Sequence, residues 1–395
     1  SRVVERVQEL LLLLLPVAAA SGWLAARRSA RRREGKCTGE TGPVYFRGLN
    51  HLLNEEPDKA IDAFVEMLEV DSDTVETHLA LGNLFRRRGE VERAIRIHQN
   101  LIARPALTRE QRAQALLELG QDYMRAGLFD RAENLFRELK ETKLHVRAAL
   151  KHLLVIYEKE RDWQACLDVV EQLESLTDER MTLQKSHYRC ELALIAKAEG
   201  RASDAAAQLK KALNTDSGCV RANHLRAQFA ADQGEYRSAI RILRETAEQN
   251  ADYLPEVLPE IVANFRQLGD LLGLRSFLAE TVRTRRGVEA VLALADLIKE
   301  QEGEAAAAEY LAEQLAMTPS LRLLQHSIEL NARMPESQSV RFLEGLRPHI
   351  SRLLDKKPLY QCSHCGFAAK TLHWQCPSCR NWSTIKRKAG TEADA

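Results

Sequence analysis

The sequence has few aromatic residues and few of the residues that break helices and form turns. Aromatic side chains make up 6% of its 395 residues, and there are only 19 glycines and 11 prolines. Leucine, alanine, glutamate and arginine, which favour helices, are abundant. This composition argues against a β-sandwich or β-barrel, and the 45% of hydrophobic residues excludes a disordered or fibrous chain.

The chain also lacks an excess of charge of either sign. Its formal net charge of +1 by itself indicates neither a nucleic-acid partner nor a membrane partner. The charges are unevenly distributed, however: residues 1–36 contain eight basic and three acidic side chains, and residues 356–395 contain seven and two. The segment between them contains 42 basic and 51 acidic side chains, so two basic ends flank an acidic body.

Catalytic signatures are missing from the sequence. It contains no glycine-rich phosphate loop, no HExxH motif and no nucleophile elbow. We therefore predict that the protein is not an enzyme, and we assign no catalytic residue.

A hydrophobic run near the N-terminus predicts a membrane anchor. Leu10–Ala26 is uncharged over 17 residues, which corresponds to about 25 Å of helix against a hydrocarbon core of about 30 Å. Five arginines follow it, at positions 27, 28, 31, 32 and 33, which places the C-terminal side in the cytoplasm by the positive-inside rule. We predict a signal anchor over residues 1–33, with the transmembrane segment at about 10–26 and a basic cytoplasmic flank.

Two other interpretations of this run are possible. A cleaved signal peptide could use the Ala18-x-Ala20 spacing, but its charges should precede the hydrophobic run. A buried soluble helix would have to pack with five arginines directly behind it. The glycine-rich segment 34–43 is predicted to be a flexible linker.

The central part of the chain contains a repeat. A Gly-x4-Ala pattern recurs, in strong or weak form, with its last residue at positions 60, 94, 132, 165, 205, 239, 274 and 308. The intervals cluster near 34 residues, which is the period of the tetratricopeptide repeat, a helix–turn–helix unit. We predict a solenoid of about eight repeats over residues 44–355, in which the first helices line a groove.

The groove is the predicted site of protein–protein contacts. The residues that we expect to face it in the second and third repeats are Asn83, Arg86, Arg87, Gln121 and Arg125. A solvated helix face without a partner is the alternative interpretation of these arginines.

The C-terminal segment predicts a metal site. Cys362, Cys365, Cys376 and Cys379 have the spacing C-x2-C-x10-C-x2-C, and two such knuckles present four thiolates to one ion. We predict one tetrathiolate-bound metal ion, iron or zinc, in a domain over residues 356–388 that is followed by a tail at 389–395. Because four cysteines leave no open coordination position, a structural role is favoured.

The order of these three parts resembles a known family. The anchor LLLLLPVAAASGW, the repeat LGNLFRRRGEVERAIRIHQ and the knuckle CSHCGF…WQCPSCRNWSTIK together are similar to the lipopolysaccharide assembly protein B family, over about Leu10 to Lys386. The resemblance implies an all-α tetratricopeptide solenoid with an N-terminal transmembrane helix and a small rubredoxin-like domain. It also matches the four cysteines of the knuckle to the family's metal ligands.

The resemblance further implies a non-enzymatic adaptor in the bacterial inner membrane, a single-pass protein with the bulk of its chain on the cytoplasmic side. Such an adaptor promotes degradation of an LpxC-type deacetylase, the committed enzyme of lipid A synthesis, by an FtsH-type membrane protease. An inner-membrane regulator that senses lipopolysaccharide restrains it, and no nucleic acid is involved. Two alternatives are a rubredoxin-like electron-transfer protein and a nucleic-acid binder that uses the knuckle as a zinc ribbon.

Overall fold

A computed structural model describes most of the repeat region and the C-terminal knuckle. The described residues are 75–285, 287–331 and 358–388, with a few isolated positions between 46 and 63 and residue 350. The predicted anchor at 1–33, the linker at 34–43 and the tail at 389–395 lie outside them. No helix within the described ranges is both long and hydrophobic enough to cross a membrane.

The chain divides into two compact units, residues 1–161 and 162–395. The described helices of the first unit are α1 (Val75–Arg88), α2 (Val91–Ile102), α3 (Arg109–Ala126), α4 (Phe129–Thr142) and α5 (Val146–Glu160). In this unit each of the first helices α1 and α3 packs against the second helix that follows it in the chain, as expected for helix–turn–helix repeats.

The second unit contains ten α-helices among its described residues. They are α6 (Trp163–Leu176), α7 (Thr182–Ala198), α8 (Ala202–Thr215), α9 (Val220–Asp232), α10 (Tyr236–Gln249), α11 (Leu254–Leu268), α12 (Leu271–Arg285), α13 (Val288–Glu302), α14 (Glu304–Met317) and α15 (Leu321–Asn331). A 3-10 turn, Ala251–Tyr253, precedes α11. The apolar faces of α9 to α15 share one continuous hydrophobic core.

One buried position recurs in the second helix of each described repeat, and it explains the sequence period. This position is the fourth residue of the helix, and it is fully buried against the first helix of the same repeat. In five of these second helices it is the residue predicted from the Gly-x4-Ala pattern: Ala94, Ala132, Ala205, Ala239 and Leu274. The turn before it contains a glycine in the left-handed region, for example Gly127 with φ 78° and Gly234 with φ 79°. Only glycine adopts that conformation without steric cost, so the pattern follows from the turn geometry.

In two repeats the predicted position is wrong by one residue. The buried residue of α6 is Cys166 rather than Ala165, and that of α14 is Ala307 rather than Ala308. In the second case a single residue, Gly303, both ends α13 and begins α14, with an extended ψ of 173°. The turn is therefore one residue shorter than in the other repeats, and the buried position moves toward the glycine.

The scattered cysteines are packed in the helical core. Cys166, Cys190 and Cys219 are buried and form no disulfide, as expected for small hydrophobic side chains. Cys37, the fourth of them in the sequence, lies outside the described residues.

Candidate metal centre and its docking surface

The C-terminal knuckle is built on a small antiparallel sheet. Its strands are β1 (Tyr360–Cys362), β2 (Ala368–Ala369) and β3 (Ile385–Arg387), in the order β2-β1-β3. Strand β1 is central, and its first cysteine, Cys362, lies opposite Ile385 of β3. The first metal-binding segment therefore begins on a paired, buried strand, which fixes its position.

The two CxxC segments fold in the same way. In the first, the Cys362 N–H donates to the carbonyl of Phe367 at 2.8 Å, and in the second the Cys376 N–H donates to the carbonyl of Asn381 at 2.9 Å. Each bond closes a turn of six residues around its pair of cysteines. This local equivalence is what the repeated spacing of the sequence predicted.

The conformations that follow the two segments are also equivalent, although the residues differ. Gly366 has a φ of 75°, and Arg380, the residue at the same place in the second segment, has a φ of 60°. The side-chain amides of Gln361 and Gln375 donate to the carbonyls of these two residues at 3.3 Å and 3.1 Å. A non-glycine residue in this region costs about 1–2 kcal/mol, so the second segment has to be held by its surroundings.

The four sulfurs lie at distances suited to one metal ion. All four are within 4.8 Å of one another, and the Sγ atoms of Cys362 and Cys379, and those of Cys365 and Cys376, are 3.7 Å apart. A regular tetrahedron with metal–sulfur bonds of about 2.3 Å has edges of about 3.8 Å. The spacing of the sulfurs is therefore suited to a tetrathiolate ion.

Hydrogen bonds prepare these sulfurs for metal binding. The Thr384 hydroxyl, 3.3 Å from Cys362 Sγ, lowers the pKa of that thiol to about 6. The Asn381 N–H lowers the pKa of Cys379, but desolvation and the three neighbouring sulfurs together outweigh it and raise this pKa to about 11. Without a cation the cluster thus holds at least one proton at neutral pH, which a bound metal replaces.

The donor set fits a structural metal ion. Iron and zinc both accept four thiolates, and the cysteines at 362, 365, 376 and 379 would hold either of them. An ion bound there would crosslink the two CxxC segments. Because cysteines occupy every position of the tetrahedron, the site offers no place for a hydrolytic water.

The knuckle docks on the first helices of the second unit, chiefly through Trp382. The indole stacks on the His187 ring of α7, with centroids 4.7 Å apart and planes 18° apart. It meets the rings of Trp163 and Tyr188 edge-on at 6.2 Å and 6.0 Å, and the Arg221 guanidinium of α9 lies 5.7 Å from its centroid. With 6% of its surface exposed, Trp382 is part of the solenoid's packing as well as of the knuckle.

A second tryptophan extends this contact to the next repeat. Trp374 stacks on Tyr253, which closes the 3-10 turn before α11, with centroids 5.8 Å apart and planes 16° apart. Its ring also lies 6.4 Å from that of His224 on α9. The two tryptophans therefore reach from the first helices α7 and α9 to the turn that precedes α11.

Polar contacts hold the sheet of the knuckle on the solenoid. The Tyr360 hydroxyl of β1 donates to the Glu256 carboxylate of α11, and the Arg387 guanidinium of β3 pairs with the Glu289 carboxylate of α13. Burial and the Glu256 carboxylate raise the pKa of Tyr360, so this hydroxyl stays a donor at neutral pH. The knuckle thus contacts four successive first helices, α7, α9, α11 and α13.

One contact joins the solenoid directly to the loop after the last cysteine. The His187 Nε2 lies 2.7 Å from the Ser383 hydroxyl oxygen. Burial, and to a smaller extent the nearby Arg221 charge, lower the pKa of His187 to about 3. The imidazole is therefore neutral throughout the physiological range, as stacking under an indole in a buried interface requires.

The tryptophans correct one detail of the sequence interpretation. From the sequence alone, Trp374 and Trp382 are predicted to form an apolar shell for the knuckle itself, together with Tyr360 and Phe367. The knuckle's own core contains Tyr360 and, at its margin, Phe367, but both indoles are directed to the helices. The sequence contains no periodic signal for this contact, since its hydrogen-bonded pairs lie 98 to 196 residues apart in the chain.

The predicted groove residues lie on first helices of the first unit. Arg86 donates to the Glu118 carboxylate at 2.7 Å and to the Asp122 carboxylate at 2.9 Å, so it holds α1 to α3. Arg87 and Arg125 are exposed, and Asn83 and Gln121 are half-buried. A role of these residues in binding a partner stays a prediction.

Comparison with known proteins identifies the same parts. A family model described as "Rubredoxin metal binding domain" matches residues 360–387, and two described as "Tetratricopeptide repeat" match residues 77–113 and 196–258. The chain is 40% identical to lipopolysaccharide assembly protein B of Escherichia coli K12 over 385 residues, covering 97% of this chain and 99% of the relative. It is 36% identical to the protein of that name from Haemophilus influenzae over 396 residues, with the same coverage. The chain therefore belongs to the lipopolysaccharide assembly protein B family.

Proposed function

We propose that this protein is a membrane-anchored adaptor that regulates lipopolysaccharide synthesis at the cytoplasmic face of the bacterial inner membrane. It promotes degradation of an LpxC-type deacetylase by an FtsH-type membrane protease, and an inner-membrane regulator that senses lipopolysaccharide restrains it. The observation that carries the proposal is the near full-length similarity to proteins named for lipopolysaccharide assembly, combined with a repeat solenoid. Solenoids of this kind present extended surfaces to other proteins.

A non-enzymatic role agrees with the chemistry of the metal centre. Two of its four cysteines, Cys362 and Cys376, are buried in the knuckle's core, and the knuckle is itself fixed on the solenoid. The metal supports an interaction surface in this arrangement.

The predicted anchor gives the adaptor its mechanism. A segment spanning the bilayer at about residues 10–26 would confine the solenoid to a layer close to the membrane. A soluble deacetylase bound there meets a membrane protease at a raised effective concentration, which accelerates an encounter without any new contact between the two.

The test is the lifetime of the deacetylase in cells that lack the native adaptor. The full chain is expected to shorten the half-life of the LpxC-type enzyme after protein synthesis is stopped. A chain without residues 1–33, expressed at the same level, should leave it long. Equal half-lives with and without the full chain contradict the proposed function, and full activity of the truncated chain contradicts the role of the anchor.

The two alternative functions predict different observations. An electron-transfer protein requires iron at the four cysteines and a spectrum that bleaches reversibly on reduction, whereas a colourless zinc protein ends that hypothesis. A nucleic-acid binder requires free basic residues on the knuckle, but Arg387 is paired with Glu289, and the Lys386 ammonium lies 3.9 Å from the Asp252 carboxylate. Both contacts favour docking on the solenoid.

A further inference from the structure

A pair of polar residues, an amide and an arginine, recurs on the first helices α1 and α3 of the first unit. Gly82 of α1 lies against the His98 ring, and Gly120 of α3 lies against the Phe136 ring, 16 residues later in both cases. The two glycines therefore mark the same position in successive repeats. Asn83 and Gln121 follow them by one residue, and Arg87 and Arg125 by five.

Each amide and its arginine share one face of a first helix. They are four residues apart, which brings their side chains together on the helix surface. The residues that pack against the second helix in α1, Leu81, Leu84 and Phe85, are buried, whereas Arg87 is exposed. The arginine of this face is therefore exposed in both repeats, whereas the amide beside it is half-buried.

An ion-pair network keeps these two faces adjacent and leaves their arginines free. Arg86 bridges Glu118 and Asp122 across the two helices, and the second oxygen of Asp122 is 2.5 Å from His98 Nδ1. The carboxylates of Glu118 and Asp122 are therefore already paired. Within the described part of the chain, Arg87 and Arg125 have no ion-pair partner, and the buried Oδ1 of Asn83 accepts no hydrogen bond.

The arrangement is not repeated in α7 or α9 of the second unit. In the second unit the buried alanines Ala193 and Ala227 occupy the place of the two glycines, each twelve residues before the buried residue of the second helix. Five residues after them stand Ala198 and Asp232, and Asp232 is paired with Lys197. No arginine occupies this position in α7 or α9.

We infer that the first unit binds an extended acidic segment of a client protein, with carboxylates on Arg87 and Arg125 and backbone groups on the amides of Asn83 and Gln121. The inference rests on the proposed function, because a client is needed to supply the segment. Adjacent helix axes are about 8–10 Å apart. In a polyproline II chain, residues three apart lie on one face and about 9.3 Å apart, so the segment carries acidic residues at every third position.

The experiment measures binding of a fluorescent peptide, four repeats of Glu-Pro-Ala, to the full chain in detergent micelles. We expect salt-dependent binding of the peptide, with an affinity about tenfold lower in the double variant R87A and R125A. The N83D variant should also bind the peptide more weakly. The matched control is the double variant R96A and R237A, which removes two exposed arginines from second helices. It should change the affinity less than twofold.

Three results overturn the inference: no binding of the peptide, equal losses in the two double variants, or equal binding of a peptide with lysine in place of glutamate. This assay requires neither a protease nor membrane topology. If the peptide binds as expected while the deacetylase half-life is unaffected by the adaptor, the proposed function fails and the acidic-segment site stands. If the peptide does not bind while the adaptor shortens the half-life of the deacetylase, the acidic-segment site is refuted and the proposed function stands.

Discussion

Replacing Trp382 by alanine should release the knuckle from the solenoid without emptying the metal site. The indole is not a metal ligand, but it is 6% exposed and lies among His187, Trp163 and Tyr188. Its removal deletes the centre of the aromatic contact. The four cysteines and the hydrogen bonds that close their turns remain.

The expected loss is about 3 kcal/mol of docking free energy. A buried tryptophan removes about 200 Å² from water, which at about 25 cal/mol/Å² corresponds to about 5 kcal/mol as an upper limit. Part of that surface is covered by the knuckle itself, so we assign about 3 kcal/mol to the contact with the helices. The ratio of docked to undocked molecules then falls by more than 100-fold, at about 1.4 kcal/mol for each tenfold.

Amide hydrogen exchange provides the assay. We expect faster exchange at the start of α7 and α9, which Trp382 contacts, and no change in α2 of the first unit. Metal content per chain should equal that of the unsubstituted protein. The matched control, W382F, keeps an aromatic ring on His187 and should retain most of the protection.

Unchanged exchange in α7 and α9 of the alanine variant, with metal still bound, would refute this reasoning. It would mean that the polar contacts at Glu256 and Glu289 hold the knuckle alone. Loss of the metal in the same variant would contradict the separation of docking from metal binding.

Three further predictions follow from the same contacts. Removing the metal with a chelator under reducing conditions should unfold the knuckle, as should C376S, and increase tryptic cleavage within residues 360–388, as seen by mass spectrometry. Acidification to pH 5 should weaken docking by about 2 kcal/mol, because the undocked His187 ring binds a proton below its ordinary pKa of about 6.5, whereas the docked ring, with a pKa of about 3, does not. Tryptophan fluorescence followed from pH 7 to pH 5 should report this loss of docking. The H187Q variant should show a flatter pH profile. G120A should lower the free energy of unfolding by about 1–3 kcal/mol in urea, since its Cβ would lie 2.5 Å from the Phe136 ring, whereas G287A, with no atom within 4 Å, should be neutral.

The parts of the fold that sequence predicts are those set by local geometry. The left-handed glycines and the buried small residues five positions later repeat because each turn has the same length. Where a turn is one residue shorter, as at Gly303, the same rule places the buried residue wrongly by one position. The two CxxC segments were likewise predictable, since each closes on itself within six residues.

The docking of the knuckle could not be predicted in this way. It joins His187 to Ser383 and Glu289 to Arg387, pairs that are 196 and 98 residues apart in the chain. Each side chain has an ordinary local role that explains it equally well: a helical histidine, a solvated arginine, an aromatic residue in a small metal domain. These residues form a single contact only because four successive first helices of the folded solenoid all contact the knuckle.

The proposed adaptor function requires that this chain bring a deacetylase to a membrane protease. The most direct measurement is the rate of degradation of purified LpxC-type deacetylase by FtsH-type protease in proteoliposomes, with the full chain present or absent. We predict a faster rate with the full chain, little effect of the chain without residues 1–33, and little effect of W382A if the docked knuckle is required. A rate that does not depend on the full chain would contradict the adaptor function.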